Sequence, residues 1–88
     1  MPYKEKEITK AYYSIGEVAS ACNVATSAVR FWELIFCMRV RRDRKGRRRF
    51  TPEQFQIMTR ISAAADEGYL TLKGIAYTLG LGYDPGKA

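Results

Sequence analysis

The 88-residue chain contains no histidine and only two cysteines, which limits the chemistry it can perform. Cys22 and Cys37 are isolated from each other and form no CxxC pair, so the sequence predicts neither a zinc site nor a disulfide framework. Paired carboxylates and a glycine-rich phosphate loop do not stand out either. We therefore expect that the chain is not an enzyme and that it binds no cofactor and no metal.

Long apolar runs are also missing from the chain. The longest run is far too short to cross a bilayer, and no apolar segment follows Met1. These features predict a protein without a secretory signal, without a membrane partner and with a cytoplasmic location. The hydrophobic content of 47% argues against wholesale disorder, and the length fits one small domain.

Positive charge is concentrated in one segment, residues 39–49, which we call the wing. It holds eight basic residues and one acidic residue, a net charge of +7. The remainder has seven basic and eight acidic residues, a net charge of −1. Such a concentrated positive element is typical of a surface that binds a polyanion. The alternative is a solvated loop or a localisation signal.

Local signals predict two short helices joined by a tight turn. Ser14 followed by Glu17 is a capping-box pattern, so the first helix begins at Ser14. Asn23 can take a left-handed conformation in the turn 22–24, and a second helix begins near Thr26. An apolar stripe follows in that second helix: Val29, Trp32 and Phe36. The pattern is helix-turn-helix, in which the second helix enters the DNA major groove. The stripe favours a core position for Trp32 over a stacking role.

The wing is predicted to be a β-hairpin within residues 38–50. Residues 43–46 supply a turn that ends in glycine, and Phe50 is expected to anchor the hairpin on the helices. Thr51 then begins a third helix with Pro52 at its first position and Gln54 at its third. The predicted inner face of this helix is Phe55, Met58, Ile61 and Ala65.

A fourth helix is predicted between Thr71 and Gly80, after the third helix ends at Gly68. Together these elements predict a mainly α fold with a small β-hairpin, a winged helix-turn-helix of about four helices plus one wing. The domain is expected over residues 12–80. We expect residues 1–11 to form a flexible charged arm and residues 81–88 to form a disordered tail or a linker to a missing C-terminal region.

Four segments in register carry a resemblance to one protein family. These are residues 13–19 (YSIGEVA), 24–33 (VATSAVRFWE), 46–51 (GRRRFT) and 67–69 (EGY). They are similar to segments of the N-terminal DNA-binding domain of MerR-type bacterial transcription regulators. Each motif alone is weak, but four in the correct order and spacing are specific.

The resemblance implies a regulator that binds double-stranded promoter DNA as a homodimer and acts on RNA polymerase indirectly, by bending and untwisting the promoter. Family members continue into a long coiled-coil helix. Residues 80–86 contain three glycines and a proline, which disfavour such a helix. We therefore expect the 88-residue chain alone to be a monomer, as either a fragment or a stand-alone domain.

This chain departs from the family pattern at three positions. Phe31 and Phe50 replace tyrosines whose hydroxyl groups could contact a phosphate. Ala25 stands where the family has a capping serine, which leaves Thr26 or Ser27 to cap the second helix.

The resemblance also implies which residues contact DNA. Arg30 matches a phosphate-contacting arginine, although an ion pair with Glu33 is the alternative. Arg48 matches the wing arginine and is expected to be the main phosphate contact, while strand alternation places Arg47 and Arg49 on the opposite face. The small side chains at the start of the second helix predict modest direct base readout. The predicted DNA-binding set is Ser14, Thr26, Ser27, Ala28, Arg30, Phe31, Arg41, Arg42, Lys45, Arg47, Arg48, Arg49 and Phe50.

Two alternative functions remain open from the residues. An excisionase-like architectural DNA-binding protein uses a similar small winged helix. A winged-helix protein-interaction module would instead use the wing to bind an acidic partner.

Overall fold

The computed structural model describes residues 11–87, where four helices and one two-stranded hairpin follow one another. The elements are α1 (Ile15–Cys22), α2 (Thr26–Ile35), β1 (Arg41–Arg42), β2 (Arg48–Arg49), α3 (Pro52–Glu67), α4 (Leu72–Leu79) and a 3₁₀ turn (Pro85–Lys87). The predicted fold class, mainly α with a small hairpin, is confirmed. The predicted N-terminal arm lies outside the described residues except for Ala11.

Side-chain caps determine where α1 and α3 begin. Ser14 Oγ accepts from the Glu17 amide at 3.1 Å, and Glu17 Oε1 accepts from the Ser14 amide at 2.8 Å. Thr51 and Gln54 form the same reciprocal pair at 3.1 and 3.0 Å. These bonds satisfy amides that have no partner within the first turn of a helix. Both capping boxes were predicted from the sequence.

Left-handed residues end three of the helices. Asn23 ends α1 with φ of 58°, Gly68 ends α3 with φ of 76°, and Gly80 ends α4 with φ of 70°. The conformation allows the amide of each end residue to bond carbonyl groups in the last turn. The predicted ends of these helices are therefore confirmed.

The second helix, α2, begins at Thr26 as predicted, but its cap differs from the prediction. Its N-cap is Ala25, and no side chain of the described residues makes a cap hydrogen bond there. The expectation that Thr26 or Ser27 takes over the cap is wrong, because both lie within the first helical turn. A 3.0 Å bond from the Ala28 amide to the Ala25 carbonyl tightens this turn instead.

One hydrophobic core joins all four helices to the end of the hairpin. Its fully buried large side chains are Val18, Val29, Ile35, Phe36, Phe50, Met58, Ile61 and Ile75. Trp32 is 8% exposed, which confirms its predicted core position. Ala65 was predicted on the inner face of α3 but is exposed, and Ala64 packs against the core in its place.

The segment before α1 pairs with the residue that ends the hairpin. Tyr13 and Phe50 exchange two backbone hydrogen bonds, at 2.7 and 2.8 Å. The Tyr13 ring stacks on Phe55 of α3, with ring centroids 4.3 Å apart and planes 9° from parallel. The hairpin is thereby fastened to the helices through Phe50, as its predicted anchor role requires.

Residues 81–87, which were expected to form a disordered tail or a linker, pack against the rest of the domain. The Asp84 amide donates to the Ile35 carbonyl at 2.7 Å, which satisfies a carbonyl at the C-terminal end of α2. The Tyr83 ring lies 6.4 Å from the Phe36 ring, and Leu81 packs on the core. Both apolar side chains of the tail therefore contribute to packing, Tyr83 at the end of α2 and Leu81 on the core.

Neither cysteine belongs to a disulfide. Burial raises the pKa of the half-buried Cys22 thiol. Cys37 is exposed in a left-handed turn after α2, with φ of 56°. Between residues 11 and 87, no three side chains are placed to hold a metal ion. In the same part of the chain no helix is long and apolar enough to span a bilayer.

Candidate nucleic-acid interface

The wing is a short hairpin with a hydrogen-bonded tip. Arg41 pairs with Arg49 and Arg42 with Arg48 in antiparallel register. Gly46 takes φ of 81° in the turn, which a side chain would disfavour. The predicted turn over residues 43–46 is therefore present, but the strands are shorter than the predicted hairpin of residues 38–50 implies.

Asp43 organises the tip of the wing. Its Oδ1 accepts from the amides of Lys45 and Arg47, both at 2.9 Å, and its Oδ2 accepts from Arg47 Nε at 3.0 Å. These bonds, first of all the one from the Arg47 amide, lower the pKa of Asp43 below its ordinary value. Asp43 therefore stabilises the turn at the tip of the wing and orients the Arg47 side chain.

Most cationic side chains of the wing point to solvent. The Arg47 side chain is 71% exposed despite its bond to Asp43. The Arg49 guanidinium lies 5.1 Å from the centroid of the Tyr12 ring, a cation–π contact that orients it. The exposed basic residues of the wing are Arg39, Arg41, Arg42, Arg44, Lys45, Arg47 and Arg49.

Arg48 is the exception, although it was expected to be the main phosphate contact. Its guanidinium forms an ion pair with Glu33 of α2, and the two side chains are only 14% and 9% exposed. Strand alternation separates Arg48 from Arg47 and Arg49 as predicted, but the face on which Arg48 lies is the one that packs on α2. In this structure Arg48 joins the wing to α2 instead of presenting its charge to solvent.

Glu33 is a site residue that sequence reasoning did not assign. It is the only buried charged residue between residues 11 and 87. One signal could have found it: Glu33 follows Val29 by four residues, so the helical spacing places it beside the apolar stripe. A carboxylate on a buried helical face needs a cation, and the nearby wing supplies one.

The exposed face of α2 carries several of the predicted contacts. Ser27 and Arg30 are exposed, Thr26 and Ala28 are half-buried, and Phe31 is 39% exposed. The proposed alternative of an Arg30–Glu33 ion pair is not formed, since Glu33 pairs with Arg48.

Two residues of the predicted set have other positions. Ser14 is exposed near a cavity of about 260 Å³ beside the wing, but its hydroxyl is engaged in the α1 cap. Phe50 is fully buried and belongs to the core, so its ring is not on any surface. Its predicted place in the DNA-binding set is therefore wrong, while its anchor role holds.

Two of the comparisons with known proteins found a match, one to a family model and one to a solved structure. The family model described as MerR HTH family regulatory protein matches residues 13–80, which is most of the chain. No curated protein matches the chain. A solved structure of HiNmlR, a MerR family regulator lacking the sensor domain and bound to promoter DNA, is similar with a TM-score of 0.60 and 23% sequence identity. The match covers 78% of this chain but only 55% of that one, and at this identity the likeness shows a shared fold.

Proposed function

The chain belongs to the MerR helix-turn-helix family of regulatory proteins, and on that premise we propose that it binds double-stranded DNA through a surface formed by α2 and the wing. The exposed face of α2 enters the major groove, and the exposed arginines of the wing contact the phosphate backbone. The biological role of this binding is regulation of transcription.

The observation that supports this proposal best is the Glu33–Arg48 ion pair between the two parts of the surface. The wing alone is a hairpin with two residues in each strand, which would be marginal without support. The buried pair fixes the wing beside α2. To bind a duplex in one register, a protein must hold its groove-binding helix and its phosphate-binding cations at a fixed separation.

The contacts divide between the two elements by their chemistry. The exposed cations proposed to contact phosphates are Arg30, Arg41, Arg42, Lys45, Arg47 and Arg49. Thr26, Ser27, Ala28 and Phe31 are proposed to face the groove. The first amides of α2 lack a side-chain cap among the described residues, and such amides favour a phosphate oxygen. Arg48 is proposed to act as a positioning residue, with Glu33 as its partner.

The proposal includes two copies of this module on one operator. A single helix-turn-helix module makes half of the contacts of a two-fold site, so specific affinity requires a second module at a fixed spacing. We propose that the whole regulator is a homodimer that acts on RNA polymerase indirectly, through the shape of the promoter.

Equilibrium titration of a fluorescent duplex at several salt concentrations tests the proposal. Arg41 is a suitable wing residue, because it is exposed and makes no side-chain bond with residues 11–87. Arg41→Ala should reduce the slope of log K against log salt by about 0.9, as for one lost phosphate contact. Arg60 on α3 is also exposed, and Arg60→Ala is the matched control that should leave the slope unchanged.

Two results would contradict the proposal. Equal slopes for Arg41→Ala and the wild type would remove the wing from the DNA interface. No binding to any duplex at low salt would instead favour the alternative of a protein-interaction module with an acidic partner.

A further inference from the structure

The exposed face of α2 carries two large apolar side chains beside its cation. Phe31 is 39% exposed and Leu34 is 40% exposed. With Ser27 and Arg30 they follow the spacing i, i+3, i+4, i+7, so all four share one face of the helix. The opposite face is buried. Any ligand of this face therefore meets one guanidinium and two hydrocarbon surfaces.

The polar side chains of this face give little basis for reading DNA sequence. Ser27 is short, and of the residues exposed on α2 only Arg30 can donate two parallel hydrogen bonds to one base. Apolar area is the remaining means of discrimination. Its presence on a surface that adjoins a wing of net charge +7 favours a polyanion that also displays hydrocarbon. In the major groove that hydrocarbon is the 5-methyl group of thymine.

We propose that Phe31 and Leu34 read thymine 5-methyl groups in the major groove, so that the preferred half-site has A·T pairs opposite the C-terminal half of α2. The inference rests on the proposed function and deepens it, because it assigns the specificity of the same surface. Arg30, on the same face, supplies the adjoining phosphate contact. Phe31 carries no hydroxyl group, so its ring is suited to a methyl group and not to a phosphate.

The test compares duplexes that differ only in methyl groups. Preferred duplexes are first selected from a randomised pool with the wild-type chain. Each is then synthesised with thymine or with uracil, which keeps every base-pairing group and lacks the 5-methyl. Binding is measured by anisotropy at one salt concentration for the wild type and for Phe31→Ala, Leu34→Ala and Tyr77→Ala. Tyr77 is 89% exposed on α4, so Tyr77→Ala is the matched control for removing an exposed side chain.

The wild type should bind the uracil duplex about 4-fold more weakly for each methyl group that it contacts. Phe31→Ala and Leu34→Ala should each bind the thymine duplex more weakly by a similar factor. For each variant, the difference in affinity between the thymine and uracil duplexes should also be smaller than for the wild type. The reason is that the side chain contacting the methyl group has been removed. Tyr77→Ala should retain the full sensitivity of the wild type. The comparison on the wild type alone does not depend on the folding of any variant.

Three results would overturn the inference. The wild type could bind thymine and uracil duplexes equally while retaining salt-dependent affinity, which refutes the inference and leaves the proposed function intact. Phe31→Ala and Leu34→Ala could keep the full uracil effect, or bind both duplexes as the wild type does, which would assign the apolar face to another ligand such as a protein. No duplex binding by the wild type would refute the proposed function together with the inference.

Discussion

Replacing Arg48 by methionine should destabilise the fold, because it leaves the Glu33 carboxylate buried without its cation. The side chains of Glu33 and Arg48 are only 9% and 14% exposed. Removing one partner of such a pair costs about 3–5 kcal/mol. A domain of this length has a free energy of unfolding on the order of 4–13 kcal/mol, so the loss is a large part of the total.

The structure also predicts which of the two single substitutions, Glu33→Met or Arg48→Met, lowers the free energy of unfolding more. Glu33 lies within α2 and its side chain is 9% exposed, so a carboxylate without its cation stays largely buried. Arg48 lies on a short hairpin, whose displacement would return its guanidinium to solvent. Glu33→Met should therefore cost about half as much as Arg48→Met. The double variant replaces both charges by apolar side chains and should be within about 1 kcal/mol of the wild type.

Urea denaturation of the four proteins gives the coupling energy, and salt titration of a duplex gives the consequence for binding. We expect the double variant to keep the wild-type salt slope, because Arg48 is paired with Glu33 and the proposed interface assigns it no phosphate contact. An Arg48→Met variant within about 0.5 kcal/mol of the wild type, or single losses that add in the double variant, would refute the buried-pair argument. A slope reduced by about one unit in the double variant would return Arg48 to the phosphate-contacting role expected from sequence.

Two further predictions concern the wing tip and the tail. A carboxyl group whose pKa is lowered by folding contributes stability above its unfolded pKa, and that stability is lost as pH falls through the folded value. The turn at Asp43 should therefore persist at neutral pH and open only below its ordinary pKa of 3.8, as followed by NMR shifts of the Lys45 and Arg47 amides; a midpoint at or above 3.8 would disprove it. Tyr83→Ala should lower the free energy of unfolding by about 1–2 kcal/mol through lost packing on Phe36, whereas Tyr77→Ala should not. Equal stability of these two variants in denaturant would mean that the tail contributes nothing.

Local rules made most of the helix boundaries predictable from the sequence. The pairs Ser14–Glu17 and Thr51–Gln54 each act across three residues, and the left-handed ends at Asn23, Gly68 and Gly80 depend on one residue each. Such interactions form within a single turn, so the residues alone specify them. The same holds for the turn at Asp43, whose carboxylate bonds amides two and four residues away.

The candidate site could be predicted only in part. Composition located the cationic segment, and helical spacing identified the core side of α2, including Trp32. Strand alternation separated Arg48 from Arg47 and Arg49, but it could not tell which of the two faces packs on the helices. Arg48, which was expected to be the main phosphate contact, is therefore only 14% exposed, whereas the Arg47 side chain is 71% exposed.

What the sequence by itself determined is the set of elements: four helices, three of them with side-chain caps, a tight turn and an arginine-rich hairpin, because caps, turns and periodicity act over a few residues. What only the tertiary structure decided is how distant segments meet. The Glu33–Arg48 pair spans fifteen residues, and the tail returns from Asp84 to the end of α2 at Ile35. Contacts of this kind depend on how whole helices pack. The free energy of burying their apolar faces selects one packing arrangement, and short-range sequence patterns do not specify it.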